Sequence, residues 1–167
     1  MIAYCLLMIF PAVMIFAALS DVRTLTIPNH LSVILVVTFL PVAVLAGLPF
    51  ESFLIHLAAG AGILVVGFLL FTTGTLGGGD AKLMSAAGIW VGVANISTFF
   101  LYVALIGGAL AVGILIYRRL PTAAIAAGPA WAFRLHDKET GIPYGIAIAG
   151  AALLTFPNTE LYALVAS

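Results

Sequence analysis

Hydrophobic residues run along this chain in long blocks parted by short polar breaks, and the blocks set the expected elements. Residues 1–19 are apolar, enough helix to cross about 28 Å, with a kink expected at Pro11, where neighbouring helices can satisfy the freed carbonyl. The polar stretch Ser20-Asp21-Val22-Arg23-Thr24-Leu25-Thr26-Ile27-Pro28-Asn29-His30 follows, and its Pro28-Asn29 pair reads as a helix opening. A second apolar block covers 31–48, ended by Gly47-Leu48-Pro49, and a third covers 53–73 after a very short turn at Glu51. Gly77-Gly78-Gly79 then interrupts the pattern, because three glycines in a row cannot continue a stable helix. The fourth block, 81–94, is short: about 21 Å of helix against roughly 30 Å of hydrocarbon. A fifth block spans 95–117 and is closed by Arg118-Arg119; after a mixed loop at 120–143 a sixth spans 144–165, bent at Pro157. The pattern predicts an all-α integral membrane protein, a polytopic bundle of six transmembrane helices forming one domain over residues 1–167, with no internal repeat.

Composition agrees with that reading. The 167 residues are 64% hydrophobic and 7% charged, whereas a soluble domain carries about a quarter charged residues and needs them to cover its surface. Net charge is zero and there is no basic run, which argues against a nucleic-acid partner; the lipid bilayer is the expected one. The single cysteine, Cys5, excludes an internal disulfide and a Cys-rich zinc site. No Lys or Arg precedes Arg23, so the first block lacks the basic start of a secretory signal and is expected to stay as a span. With six spans, Arg23, Lys82, Arg118, Arg119, Arg134 and Lys138 fall on one side, and only Glu51 and Glu160 on the other. The positive-inside rule makes the basic side cytoplasmic and puts both termini outside.

Against this background two acids stand out, Asp21 after the first block and Asp80 after the triple glycine. A carboxylate at membrane depth is costly and marks a functional site by default. Read singly, Asp21 is a boundary charge paired with Arg23, and Asp80 is a helix N-cap. Read together they form a dyad that shares a proton, one carboxylate taking a proton from water while the other carboxyl hydrogen-bonds the scissile carbonyl. Asp80 opens a helix, where the dipole favours a carboxylate, and Asp21 lies just past a helix end, where the dipole disfavours one; this casts Asp80 as the base and Asp21 as the proton holder.

Gly77-Gly78-Gly79-Asp80-Ala81-Lys82-Leu83-Met84 resembles the GxGD motif of prepilin peptidases. Ser20-Asp21-Val22-Arg23 with Ile27-Pro28-Asn29 resembles the other half of their signature, and Gly141-Ile142-Pro143-Tyr144-Gly145 is similar to the opening of their last span. The resemblance implies a membrane aspartic endopeptidase of the bacterial plasma membrane that removes the basic leader of type IV prepilin-like proteins, cutting after a glycine at the cytoplasmic face. It makes Asp21 and Asp80 the catalytic pair, needs no cofactor or metal, and assigns Gly77, Gly78, Gly79, Lys82, Arg23, Pro28 and Asn29 to substrate binding or motif support. The substrate partner it implies carries a hydrophobic N-terminal helix. The long members of the family also have a Cys-x-x-Cys cytosolic domain and methylate their product. That domain has no counterpart in these residues, so methylation is not expected, and the compact form looks like the peptidases of tight-adherence (Flp-type) pili.

Other features fit plainer roles. His30, His56 and His136 have no metal-ligand spacing and are expected to be interfacial or packed. Ala58/Gly62, Ala104/Gly108 and Ala109/Gly113 read as helix-packing pairs. The loop from Pro121 to Gly141, with Trp131 and Phe133 near Arg134 and Lys138, reads as an amphipathic connector that alternatively docks substrate. The alternative function is a small proton- or cation-coupled transporter subunit, which predicts midplane acids and repeated halves. A metal-dependent hydrolase with both aspartates as ligands needs further ligands, and an inactive scaffold would tolerate Asp-to-Asn changes.

Overall fold

The structure, a computed structural model, describes residues 2–121 and 128–166. The first block forms α1 (Ile2–Leu7) and α2 (Ile9–Thr24), broken at Met8. The break lies one turn before Pro11, whose ring crowds the carbonyl four residues back, that of Leu7. α2 runs on past the apolar block to Thr24, where Leu25 (φ 54°) turns left-handed and donates its N–H to the Asp21 carbonyl. Asp21 is therefore inside the last turn of α2 and not beyond the helix, as the hydropathy pattern implied. The Thr24 hydroxyl bonds the Ser20 carbonyl at 2.8 Å, so these polar residues continue the helix by serving its own backbone.

Pro28, in extended conformation, caps α3 (Asn29–Leu45), and α4 (Phe50–Thr72) follows. Gly74, at φ 73°, turns the chain after α4, a conformation that only glycine adopts without strain. Gly77 then caps α5 (Gly78–Val91), so the triple glycine opens the helix and the break lies just before it. A short 3₁₀ turn (Val93–Asn95) leads to α6 (Ile96–Tyr117). After α7 (Ala130–His136) come α8 (Gly145–Thr155), a 3₁₀ turn at Phe156–Asn158, and α9 (Glu160–Ala166). The segment Gly145–Asn158 and α9 meet at a bend of 52°, which falls at the extended Thr159, two residues past Pro157, where the sequence pattern put it.

The chain is an all-α, multi-pass membrane protein. Among the described residues three stretches are long and apolar enough to cross a bilayer, Ile2–Thr24, Phe50–Thr72 and Val93–Tyr117, and a fourth if the bent pair α8–α9 is one span. α3 has 17 residues and α5 has 14, so six full-length spans are not what the helix lengths display. Burial accounts for α5: ten of its residues are buried, from Ala81 and Leu83 through Val91. It packs on α3, α4 and α8, and a helix wrapped in protein need not match the lipid thickness. Ser85 donates to the Gly60 carbonyl at 2.8 Å, and the Trp90 indole N–H to the Leu35 carbonyl at 2.9 Å. Phe10, Phe39 and Phe156 pack around Trp90.

The proposed packing pairs are corrected by this arrangement. A side chain added at Gly62, Gly108 or Gly113 would meet nothing within 4 Å, so these glycines face outward. Gly67, against Ala81, is among those that bring helices together; spacing alone does not say which face of a uniformly apolar helix meets a neighbour.

The two ends of the bundle differ. One gathers the end of α2, the starts of α3, α5 and α8, and the segment after α6, where Arg118 donates to the carbonyls of Leu135 and Thr140 at 2.9 and 2.6 Å. The other holds His56, Gly92 and Glu160. Of the loop read as a docking edge or connector, residues 122–127 lie outside the described residues; α7 is a short helix with Ala132 and Leu135 inward and Trp131 and Phe133 exposed.

Candidate active site

α2 and α5 each deliver one carboxylate to a single cleft. Asp21 is only 5% exposed, and its Oδ2 accepts the backbone N–H of Gly145 at 2.7 Å. That amide is the first of α8, one of the donors a helix leaves without an internal partner. A side-chain carbon on Gly145 would lie 2.9 Å from Asp21 Cβ, so only glycine lets the helix start come this close. Asp80 occupies the first turn of α5, and its carboxylate turns back toward the amide of Gly77, the capping residue, in the manner of an acid three residues into a helix. Gly79 passes against Ile27, where an added side-chain carbon would meet Ile27 Cβ at 3.2 Å.

Both acids line one cavity of about 260 Å³ with Gly77, Gly78, Gly79 and Asn29. They are near enough for the charge on Asp21 to act on Asp80. Leu25, Thr26 and Ile27, the link between α2 and α3, complete the wall. The other candidates stand back. Lys82 does not reach Asp80; its Nζ donates to Asn29 Oδ1 at 2.9 Å, fixing the start of α3 to α5. Pro28 shapes the chain as the α3 cap. Arg23 is exposed, and among the described residues no ion pair joins it to Asp21, so the solvated pair is not seen.

Gly145 is the site residue that sequence reasoning left unassigned. The Pro143-Tyr144-Gly145 run marked it as a family-like feature, but nothing local connects it to an acid 124 positions away. Its contact also changes the assignment of roles. Asp80 sits at the start of α5, and Asp21 faces the amide end of α8, so both carboxylates meet the positive end of a helix dipole. The start of α8 thus offsets, at Asp21, the unfavourable end of the α2 dipole on which the casting of Asp80 as base and Asp21 as proton holder rested.

Away from the cleft, His56 is buried, its Nδ1 within 2.6 Å of the Ile89 carbonyl and its Nε2 3.7 Å from Glu160. His136 Nε2 lies 2.8 Å from the Leu120 carbonyl, and His30 is exposed. Among the described residues no three His, Cys, Asp or Glu side chains gather to hold a metal ion.

Two carboxyls lining one partly closed polar cleft have the chemistry to act on a water held between them. The bare glycine backbone beside them leaves room for a peptide to approach. Residues 8–112 match the type IV leader peptidase family, a stretch that contains Asp21, Asp80 and the triple glycine but ends before Gly145. The chain is also 37% identical over 140 residues to the prepilin leader peptidase/N-methyltransferase of Bacillus subtilis (strain 168), an alignment covering 77% of this chain and 55% of that one. The chain thus spans about half the length of the curated relative it matches. No solved structure matches it.

Proposed function

The chain belongs to the type IV leader peptidase family, and on that premise we propose that it is a membrane aspartic endopeptidase cutting the leader from prepilin-like proteins. Asp21 and Asp80 are the catalytic pair. The observation that carries this reading is their meeting in one cavity from helices far apart in sequence. With one proton between them, the ionised carboxylate takes a proton from water and the protonated carboxyl hydrogen-bonds the scissile carbonyl. The tetrahedral intermediate then breaks as the leaving amine receives a proton from the dyad. Neither residue owns a role at rest, because a coupled pair titrates as a unit.

In this proposal six helical segments traverse the bacterial plasma membrane, with α1–α2 and α8–α9 each counting once. The end that carries Asp21, Asp80, Arg23, Lys82 and Arg118 faces the cytoplasm. Substrates have a basic leader followed by a hydrophobic helix. The residues at the cut leave helical geometry, because an intact helix engages the scissile carbonyl in its own hydrogen bond. Gly77, Gly78, Gly79 and Asn29 border the extended leader. The deciding experiment is co-expression with a prepilin-like substrate, following leader loss on a gel. Asp21→Asn and Asp80→Asn each lose processing by at least about a hundredfold while the protein stays in the membrane. Wild-type processing by either variant removes the dyad mechanism, and inactivation by a chelator shifts the reading to a metal hydrolase.

A further inference from the structure

A groove in the apolar flank of the bundle adjoins the cavity that holds the two aspartates. α3 and α4 both pack on α5, and between them lies a space of about 410 Å³. Ser85 and Ala86 of α5 floor it, and Val33, Val36 and Val37 of α3 face Leu64 of α4 across it. Asn29 borders both this groove and the aspartate cavity, and the bond it accepts from Lys82, which also lines the groove, marks where the two adjoin at the first turn of α3. A bilayer protein exposes apolar clefts widely, and a second one, about 390 Å³, lies between Gly62, Val66 and Phe100.

Two observations separate the first from the second. The second cleft shares no residue with the aspartate cavity. Ser32, 8% exposed, lines the first groove with a hydroxyl that has no hydrogen-bond partner. In surroundings that lack water such a hydroxyl is costly, and lipid tails bring nothing to relieve it.

We propose that this groove seats the hydrophobic helix of the substrate whose leader the aspartates remove, an inference that rests on the proposed peptidase function. From Asn29 to Val37 the α3 wall extends eight residues, about 12 Å or two turns of a docked helix. The small side chains of Ser85 and Ala86 let that helix approach α5 closely. At Asn29 the substrate leaves the groove, unwinds and enters the cavity, so one partner carries both a helical anchor and an extended scissile segment. The groove thus sets how far from the start of the hydrophobic helix the cut falls.

Two tryptophan variants of the full chain test this. Val33→Trp fills the groove at a position already 58% exposed, and Gly62→Trp fills the other cleft, where an added side-chain carbon meets nothing within 4 Å. Both are compared with wild type for leader removal from a co-expressed prepilin-like protein. In Asp80→Asn protein, a benzophenone amino acid at 33 or 62 reports what touches each cleft. Val33→Trp is expected to slow removal by about tenfold or more, Gly62→Trp to leave it unchanged, and only position 33 to crosslink to the substrate. Wild-type speed in Val33→Trp, equal slowing by both variants, or crosslinks from 33 to lipid alone overturns the proposal. If wild-type protein removes no leader, the peptidase reading fails and takes this inference with it. An active wild type whose groove is indifferent sinks the inference alone.

Discussion

The environment of each aspartate is built from backbone amides, and the consequences are sharpest at Gly145. Asp21 is almost fully buried and takes its hydrogen bond from the Gly145 N–H. Gly145→Ala places a methyl 2.9 Å from Asp21 Cβ, so the start of α8 must retreat or the carboxylate must turn away. If Asp21 belongs to the proposed dyad, a displacement of about 1 Å costs on the order of a hundredfold in rate. Leader processing by Gly145→Ala therefore falls about a hundredfold while membrane levels hold, and a rate within twofold of wild type contradicts the positioning role. A proton shared between the two acids also gives processing a bell-shaped dependence on pH, with both limbs belonging to the pair. Below the acidic limb no carboxylate is left to accept a proton, and above the basic limb no carboxyl is left to donate one. Purified protein with a prepilin peptide, assayed across pH, reads both limbs; a profile with one limb points to a single titrating group.

α5 is the element on which the site depends, since it carries Asp80 at one end and is held by protein along its length. Its far end is tied by His56, which reaches from α4 to the Ile89 carbonyl at 2.6 Å and toward Glu160 of α9 at 3.7 Å. His56→Ala orphans a buried carbonyl, a loss of about 1–3 kcal/mol. For a chain of this size that corresponds to a drop of roughly 2–12 °C in melting midpoint. Thermal unfolding in detergent checks the drop, and an unchanged midpoint denies the tie any structural weight. Conservative repair is also informative: His56→Gln keeps a donor and recovers part of the loss. The short length of α5 was visible in its apolar block, but its central place was not. Hydropathy cannot tell a helix facing lipid from one facing other helices, because both environments reward the same side chains.

For the whole molecule, the prediction concerns sidedness. If six segments cross the membrane, Glu51 and Lys138 lie on opposite faces although helix length alone picks out three or four spans. Single cysteines at Glu51 and Lys138, in a Cys5→Ser background, are expected to react with an impermeant thiol reagent from the outer and cytoplasmic side respectively. Labelling of both from the same side removes an odd number of crossings and, with it, the cytoplasmic placement of the aspartates.

The chain's blocks of apolar residues determined by themselves that it is a helical membrane protein, and two acids among so little charge marked the residues proposed to carry its chemistry. Local rules also located the break before Pro11, which acts on the backbone immediately around it, and came within two residues of the bend at Thr159. Tertiary structure decided the rest: that Asp21 belongs to a helix and is buried, that Gly145 is its donor, and that Lys82 holds Asn29 instead of Asp80. These are contacts between segments far apart along the chain. Hydropathy and turn chemistry act over a few residues, so they prescribe the helices and their ends, while the pairing of one helix end with another is settled only when the whole bundle packs.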